Sequence, residues 1–255
     1  MQQPKRSLGN IVRRFYIKLN RMLEILKELD QNLLLLINGA HSPFLDGFMW
    51  LVSAKLTWVV MYASIIYVLI KNLNLRLTIF TVIAIALVIT YCDQMCATVL
   101  RPIFERLRPA NLENPFSEYV RIINNYRGGR YGFPSCHAAN SFGLAFFLVF
   151  LFKQRKVSMF ILLWAALVSY SRSYLGVHYP GDLLFGAFIG FTGAAIVYVI
   201  YRILLNIHGI AKALDFFQKD KILILKPARM KYTSTLIIVG ILSILAFAIY
   251  SCCWY

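Results

Sequence analysis

The side chains in this sequence that could do chemistry are concentrated in three short polar segments separated by apolar runs. They are Arg101, Arg106 and Arg108; Ser135 and His137; and Ser171, Arg172, His178 and Asp182. Arginine forks match the oxygens of phosphate through paired hydrogen bonds, and two imidazoles beside one phosphate can supply a nucleophile and a general acid. Asp182 could hold and polarise one imidazole. Because the cysteines, histidines and carboxylates have no spacing suited to a metal, the pattern indicates metal-free chemistry at a phosphate.

The elements that position these residues are membrane helices. The chain has 255 residues, of which 59% are hydrophobic and 15% are charged, which is too apolar for a soluble domain of this size. Six windows are long and apolar enough to cross about 30 Å of hydrocarbon: 48–70, 77–99, 136–153, 157–174, 183–205 and 233–254. We therefore predict an all-α integral membrane bundle with about six transmembrane helices.

The order of these spans brings the three polar segments to one face of the membrane. The end of the second span, at Arg101, and the start of the third, at Pro134, share a side because nothing crosses between them. Spans three and four, a hairpin joined at 153–156, then cross twice and return Arg172 to that side, where His178 and Asp182 follow. Residues far apart in the sequence are thus predicted to form one site.

The segments at either end of this region have different patterns. Apolar and basic residues recur at near-helical spacing over 11–37, which predicts an amphipathic helix on the membrane surface. The predicted organisation is an interfacial segment (1–45), a catalytic membrane domain (46–205), a basic loop (206–232) and a C-terminal transmembrane helix (233–255).

Together the three segments resemble the motifs of the type 2 phosphatidic acid phosphatase (PAP2) family, which are Lys-x6-Arg-Pro, Pro-Ser-Gly-His and Ser-Arg-x5-His-x3-Asp. Here they read Arg101-x6-Arg108-Pro109, Pro134-Ser135-Cys136-His137 and Ser171-Arg172-x5-His178-x3-Asp182. The motifs run from 101 to 182, and the resemblance in span layout covers residues 45–205. Any one motif is weak evidence, whereas all three in order on one membrane face are specific.

The resemblance implies a role for each matching residue. His178 would be the nucleophile that forms a phosphohistidine, Asp182 would orient it, and His137 would protonate the leaving group. The phosphate oxygens would be held by Arg101, Arg108, Ser135, Arg172 and the backbone N–H of Cys136. By the same resemblance the reaction needs no metal or other cofactor.

Two positions depart from the family pattern. Arg101 stands where lysine is usual, which keeps the charge but changes reach and hydrogen-bond geometry. Cys136 stands where glycine normally lets the backbone approach the phosphate closely, so its Cβ could tighten the pocket or shift substrate preference.

Simpler structural roles are compatible with several of these residues. Asp182 could cap the fifth span and Ser135 the third. Asp93, inside the second span, is expected to pair with a neighbouring polar group, and Asn140 could touch a substrate headgroup. The remaining arginines of the loop are expected to be solvated charges or lipid-headgroup contacts without a catalytic role: Arg106, Arg121, Arg127 and Arg130.

Charge predicts the partners and the orientation. Lys plus Arg outnumber Asp plus Glu by 27 to 11, which in a membrane chain favours anionic lipid rather than nucleic acid as the partner. The loops opposite the site carry five basic residues between 71 and 156 and seven between 202 and 231, so that face is predicted to be cytoplasmic. The site then opens outward, or to the periplasm of a bacterial inner membrane. Crossing parity puts the basic N-terminal helix on the site's side as well, unless 29–45 dips through the membrane.

These features predict a phosphatase acting on a lipid-linked phosphate or diphosphate. Undecaprenyl diphosphate, lipid A, phosphatidylglycerol phosphate and phosphatidic acid fit a site at the membrane–water boundary, and the carrier-lipid diphosphate ranks first on the breadth of the family. The asparagine-rich loop 110–133 is where headgroup choice is expected to lie. The alternative is a lipid phosphotransferase that uses the same histidine. Oligomeric state is not assigned.

Overall fold

The computed structural model describes residues 8–207, 210 and 230–254, and this part of the chain is helical without a β-strand. The basic loop predicted over 206–232 lies almost wholly outside the described residues. The α-helices of the described part are α1 (Leu8–Gly39), α2 (Pro43–Ser53), α3 (Val59–Asn72), α4 (Leu75–Gln94), α5 (Arg101–Phe104), α6 (Cys136–Phe152), α7 (Arg155–Tyr174), α8 (Pro180–Asn206) and α9 (Thr233–Trp254).

Several of these helices have the length and apolar composition of membrane spans. Leu75–Phe104, in which α4 continues through a π-helical stretch into α5, meets both criteria, as do α8 and Thr233–Cys253 of α9. A fourth span results if the bent pair α2–α3 counts as one. Helix α6 has 17 residues, fewer than the roughly 20 that a perpendicular crossing needs. The all-α membrane architecture is confirmed, and the count of six spans stays a prediction.

The window predicted as a single span over 48–70 is broken between α2 and α3, which together bend by 75°. The carbonyl groups freed at the break are satisfied by nearby side chains, as an apolar environment requires. The Thr57 hydroxyl donates to the carbonyls of Leu51 and Ala54, both at 2.7 Å, and the Trp58 indole N–H donates to Val52 at 2.9 Å. Ser53 is the last residue of α2, immediately before the bend, and its hydroxyl accepts a hydrogen bond from Arg172.

Close packing of α6 against α8 fixes the centre of the bundle. A Cβ at Gly190 of α8 would lie 2.6 Å from both the Ala139 carbonyl oxygen and the Gly143 nitrogen of α6, and one at Gly186 would lie 2.6 Å from the Ser135 carbonyl oxygen. Small residues of this kind let two membrane helices approach to backbone contact. The N-terminal ends of α6 and α8, which carry two of the three motifs, are thereby held side by side.

The C-terminal end of α1 is attached to the loop that follows α5. The Asn38 amide donates to the carbonyls of Arg121 (3.0 Å) and Tyr174 (2.8 Å), and its oxygen accepts the Arg121 N–H at 2.8 Å. Arg121 also pairs with Asp46 of α2, and Asp46 accepts the Tyr174 hydroxyl at 2.7 Å. The end of α1 therefore lies on the same face of the bundle as loop 105–135, which is the placement that crossing parity predicts. The side of the membrane on which α1 lies stays a prediction.

Cysteine labelling tests this placement. In a background with exposed Cys252 and Cys253 replaced by alanine, single cysteines at Asn20, in α1, and Leu112, in the loop, are expected to react with a membrane-impermeant maleimide from the same side. Lys153→Cys, at the opposite end of α6, is the control and is expected to react only from the other side. Reaction of Asn20→Cys and Lys153→Cys from the same side of the membrane would contradict the attachment of α1 to the loop.

Candidate active site

Loop 105–135 places Arg108 against the nucleophile candidate His178. Arg108 Nη1 lies 2.7 Å from His178 Nε2 and 3.0 Å from the Val177 carbonyl oxygen, and both side chains are buried. Burial, together with the nearby charges of Arg101 and Arg172, lowers the pKa of Arg108 to about 10, so the guanidinium is still cationic at neutral pH. Because a guanidinium can only donate, His178 Nε2 is the acceptor, and the proton of the neutral imidazole is on Nδ1.

The other imidazole nitrogen faces Asp182. His178 Nδ1 lies 3.4 Å from Asp182 Oδ2, with both side chains almost completely buried. Burial first, and then the positive charges of Arg108 and Arg172, hold the pKa of His178 well below its usual range. The imidazole is therefore neutral at pH 7, with a lone pair on Nε2 as a nucleophile needs.

Asp182 is the most connected residue of the site. Its Oδ1 accepts from Arg106 Nη1 at 2.8 Å, and its Oδ2 accepts the Tyr179 backbone N–H at 3.0 Å. Its carbonyl oxygen accepts the Ser135 N–H at 3.1 Å, which joins the third motif to the second. The geometry fits both expectations for this residue, a contact at the start of α8 and a contact to His178.

Ser135 lies immediately before the first turn of α6 and is fully buried. Its hydroxyl accepts the Ala138 N–H at a long 3.4 Å, which corresponds to the capping role considered for it. Helix α6 begins at Cys136, so the positive end of its dipole points into the site, where an anion would be favoured. The predicted contact of Ser135 with phosphate stays a prediction.

Three arginines converge here without a carboxylate partner. Arg172 of α7 donates to the Ser53 hydroxyl and, at 3.2 Å, to the Tyr126 hydroxyl, while Arg101 Nη2 donates weakly to the Pro134 carbonyl at 3.4 Å. Among the described residues, neither of them nor Arg108 lies within ion-pair distance of an acidic side chain, and each has a buried Nε–H without a hydrogen-bond partner. Like charges held together in this way favour an anion, and guanidinium groups commonly bind phosphate through paired hydrogen bonds.

His137, the predicted general acid, lies between this cationic cluster and an apolar cavity of about 340 Å³. The cavity runs between α2, α3, α4, α6 and α7, and most of its wall is aliphatic or aromatic, including Ile65, Val82, Leu144 and Trp164. The polar side chains in its wall include His137, Ser53 and Lys55. A molecule whose phosphate lies among the arginines could therefore extend its apolar part into the cavity past His137.

Cys136 occupies the position where the family pattern has glycine. Its side chain is buried beside that of Cys96, in the π-helical stretch after α4. In the described part of the chain, no group of three or more histidines, cysteines and carboxylates could hold a metal ion.

The expectation that Arg106 is a solvated charge or a lipid-headgroup contact was wrong, whereas its lack of a direct catalytic role stays a prediction. Its guanidinium bonds Asp182 at 2.8 Å and Asp30 of α1 at 2.7 Å, and it stacks on the Tyr179 ring at 4.1 Å. Asp30, which sequence reasoning missed entirely, also accepts the Gly181 N–H at 2.7 Å. The available signal was weak: Asp30 is one of three carboxylates in a helix that also has five basic residues.

The other loop charges have structural contacts. Arg127 donates to the Ala110 carbonyl at 2.8 Å, and the exposed Arg130 pairs with Glu113 at 2.8 Å. Arg121 pairs with Asp46, as described above, so it is not a solvated charge. Asp93 is paired as expected, because it accepts from the Asn140 amide at 3.1 Å. Asn140 also lines the apolar cavity.

The chain is similar to several known proteins. Residues 76–205 match the model of the PAP2 superfamily. A lipid A 4'-phosphatase of Bacteroides thetaiotaomicron is 50% identical over 230 residues, which are 90% of this chain and 98% of that protein. A lipid A 4'-phosphatase of Porphyromonas gingivalis is 37% identical over 179 residues, or 70% of this chain and 75% of that protein.

Among solved structures, Aquifex aeolicus LpxE is 27% identical and aligns with a TM-score of 0.48 over 65% of this chain and 92% of that chain. The family match covers half of the chain, and the Bacteroides relative extends over nearly all of it. The chain therefore belongs to the PAP2 superfamily and is an all-α membrane phosphatase.

Proposed function

We propose that this protein removes a phosphate group from lipid A or a closely similar glycolipid by way of a phosphohistidine on His178. The observation that carries the substrate class is the 50% identity to a lipid A 4'-phosphatase over 98% of that protein's length. The geometry at His178 supports the mechanism. The names of these relatives support lipid A as the substrate rather than undecaprenyl diphosphate, which ranked first from the sequence.

In the first step His178 Nε2 attacks phosphorus, and the bond from phosphorus to the lipid oxygen breaks. Arg108, which occupies that lone pair in the absence of substrate, transfers its hydrogen bond to a phosphate oxygen. Arg101, Arg172, Ser135 and the amide at the start of α6 complete the cradle for the developing charge. The bound phosphate favours the imidazolium form of His137, which gives its proton to the leaving lipid oxygen and becomes neutral. Asp182 accepts a hydrogen bond from His178 Nδ1 and so keeps the proton on that nitrogen.

In the second step water attacks the phosphohistidine. His137, now unprotonated, takes a proton from that water, the bond between phosphorus and Nε2 breaks, and inorganic phosphate leaves. His178 returns to its neutral form with the proton still on Nδ1. The two histidines thus complete the hydrolysis without a net change in protonation.

The apolar cavity supports a lipid as the leaving group. His137 lies in its wall, so the oxygen that receives the His137 proton would be next to the cavity entrance. Burial of hydrocarbon there contributes about 0.8 kcal/mol for each methylene removed from water. We propose that one acyl chain of the substrate occupies this cavity during the reaction.

The proposed location is a bacterial inner membrane with the site at the periplasmic face. Both lipid A 4'-phosphatase relatives are bacterial proteins. The excess of Lys and Arg in the loops opposite the site supports this orientation through the positive-inside rule.

Phosphate release from lipids tests the mechanism. Detergent-purified protein is expected to release inorganic phosphate from lipid A in the presence of EDTA. His178→Ala is expected to reduce the rate by at least about 1,000-fold, because it removes the nucleophile. Activity lost with EDTA, or retained by His178→Ala, would contradict the mechanism. A product that forms only when a second lipid is added as acceptor would identify a phosphotransferase.

The consequence of Cys136 can be tested by restoring the family's glycine. Cys136→Gly is expected to retain activity within about tenfold, because the backbone amide rather than the thiol is proposed to contact phosphate. The comparison is kcat for the variant and for the unchanged protein on the same lipid. Complete loss at an unchanged melting temperature would show that the thiol itself takes part in the reaction.

Filling the cavity tests the acyl-chain site. Val82→Phe, which narrows the cavity from α4, is expected to raise KM for a long-chain lipid phosphate by about tenfold, the effect of roughly 1.4 kcal/mol of lost binding. A water-soluble phosphate monoester should be cleaved as before. The matched control is Ile83→Phe, at the neighbouring residue, whose side chain is about half exposed on the outside of the bundle. Equal effects of the two variants on the lipid would rule out the cavity as the chain site.

A further inference from the structure

We infer that Asp30 of the N-terminal helix is a positioning residue for the catalytic carboxylate, acting together with Arg106. The inference rests on the proposed function, because it assigns Asp30 a part in orienting His178. The N-terminal helix lies outside the three motifs and outside residues 76–205 that match the family model.

The contacts form a continuous chain from α1 to the nucleophile. Asp30 Oδ2 accepts from Arg106 Nη2 at 2.7 Å, Arg106 Nη1 donates to Asp182 Oδ1 at 2.8 Å, and Asp182 Oδ2 faces His178 Nδ1 at 3.4 Å. The Asp30 side chain is 12% exposed and that of Arg106 is 28% exposed. Each terminal nitrogen of the Arg106 guanidinium therefore donates a hydrogen bond to a different carboxylate.

This arrangement determines which oxygen of Asp182 is available to His178. An arginine held only by Asp182 could bind both of its oxygens in a bidentate pair, as arginine and carboxylate commonly do. Asp30 holds the second nitrogen of Arg106, so only Oδ1 of Asp182 is used by arginine. Oδ2 is left for the imidazole and for the Tyr179 N–H.

Asp30 also holds the backbone on which Asp182 lies. Its Oδ1 accepts the Gly181 N–H at 2.7 Å, in the first turn of α8. A Cβ at Gly181 would lie 2.8 Å from Asp30 Oδ2, so a larger residue at this position would displace the Asp30 carboxylate. One side chain therefore fixes both the start of α8 and the arginine that contacts Asp182.

The charge of Asp30 distinguishes this role from simple packing. The charged and titratable groups around His178 are Arg101, Arg106, Arg108, Arg172, His137, Asp182 and, through Arg106, Asp30. Removing an anion from this set disfavours the imidazolium and lowers the pKa of His178, whereas removing a cation raises it. The acidic limb of kcat/KM, which reports the essential base of the free enzyme, should shift accordingly.

The test compares Asp30→Asn and Arg106→Gln on a lipid phosphate that the unchanged protein cleaves. Asp30→Asn is expected to lower kcat by about tenfold with KM within about twofold, as for loss of a residue that orients a catalytic group. The acidic limb of the kcat/KM pH profile should move to lower pH in Asp30→Asn and to higher pH in Arg106→Gln. Gly181→Ala should reproduce the loss of kcat without removing a charge, and Asp30→Glu should restore part of it.

The matched control is Glu28→Gln, the same change of charge at an exposed position on the same helix, which is expected to leave kcat and the pH profile unchanged. Unchanged kcat in Asp30→Asn, or a loss that follows a lower melting temperature with no shift of the acidic limb, would overturn the inference. Failure of the unchanged protein to cleave any lipid phosphate would instead overturn the proposed function.

Discussion

Asp182, a carboxylate with no exposed surface, is the point from which the rest of the site is organised. Removing a charge from water costs several kcal/mol unless hydrogen bonds and an opposite charge compensate it. The Arg106 guanidinium and the Tyr179 backbone N–H supply that compensation. The backbone carbonyl of Asp182 also accepts the N–H of Ser135, the residue before α6. Asp182 thus connects three segments that are distant in the sequence, and the orientation of the His178 imidazole depends on all of them.

A second constraint is the concentration of positive charge around His178. Arg101, Arg108 and Arg172 have no acidic partner among the described residues, so their mutual repulsion is not balanced within this part of the protein. Their positions are instead held by neutral acceptors: Pro134, Val177, Ser53 and Tyr126. An anion at this place would offset that repulsion, which supports the phosphate-binding role proposed for these arginines.

Much of the site could be predicted because its residues lie in motifs whose spacing and membrane side are readable from the chain. Counting crossings brought Arg101, His137 and His178 to one face, and the structure does place the three motifs together. The contact between Arg106 and Asp182 could not be foreseen, since loop conformation determines which of several similar arginines reaches the carboxylate. The break in the helix after Ser53 was also missed. The apolar pattern of the sequence does not show that Thr57 and Trp58 can donate hydrogen bonds to the carbonyls freed at this break. Asp30 lies more than 70 residues before the first motif, with no periodicity to mark it.

The attachment of α1 to the site has a further consequence for how substrate arrives. This helix carries five exposed basic side chains, and its C-terminal part is attached beside the catalytic loop through Asp30 and Asn38. The five are Arg13, Arg14, Lys18, Arg21 and Lys27. We expect this basic stretch to attract a phosphorylated lipid toward the catalytic loop. Encounter between enzyme and lipid would then depend on ionic strength, since salt screens exposed charges over about 10 Å at 0.1 M, whereas the interactions of the buried site would depend on it much less.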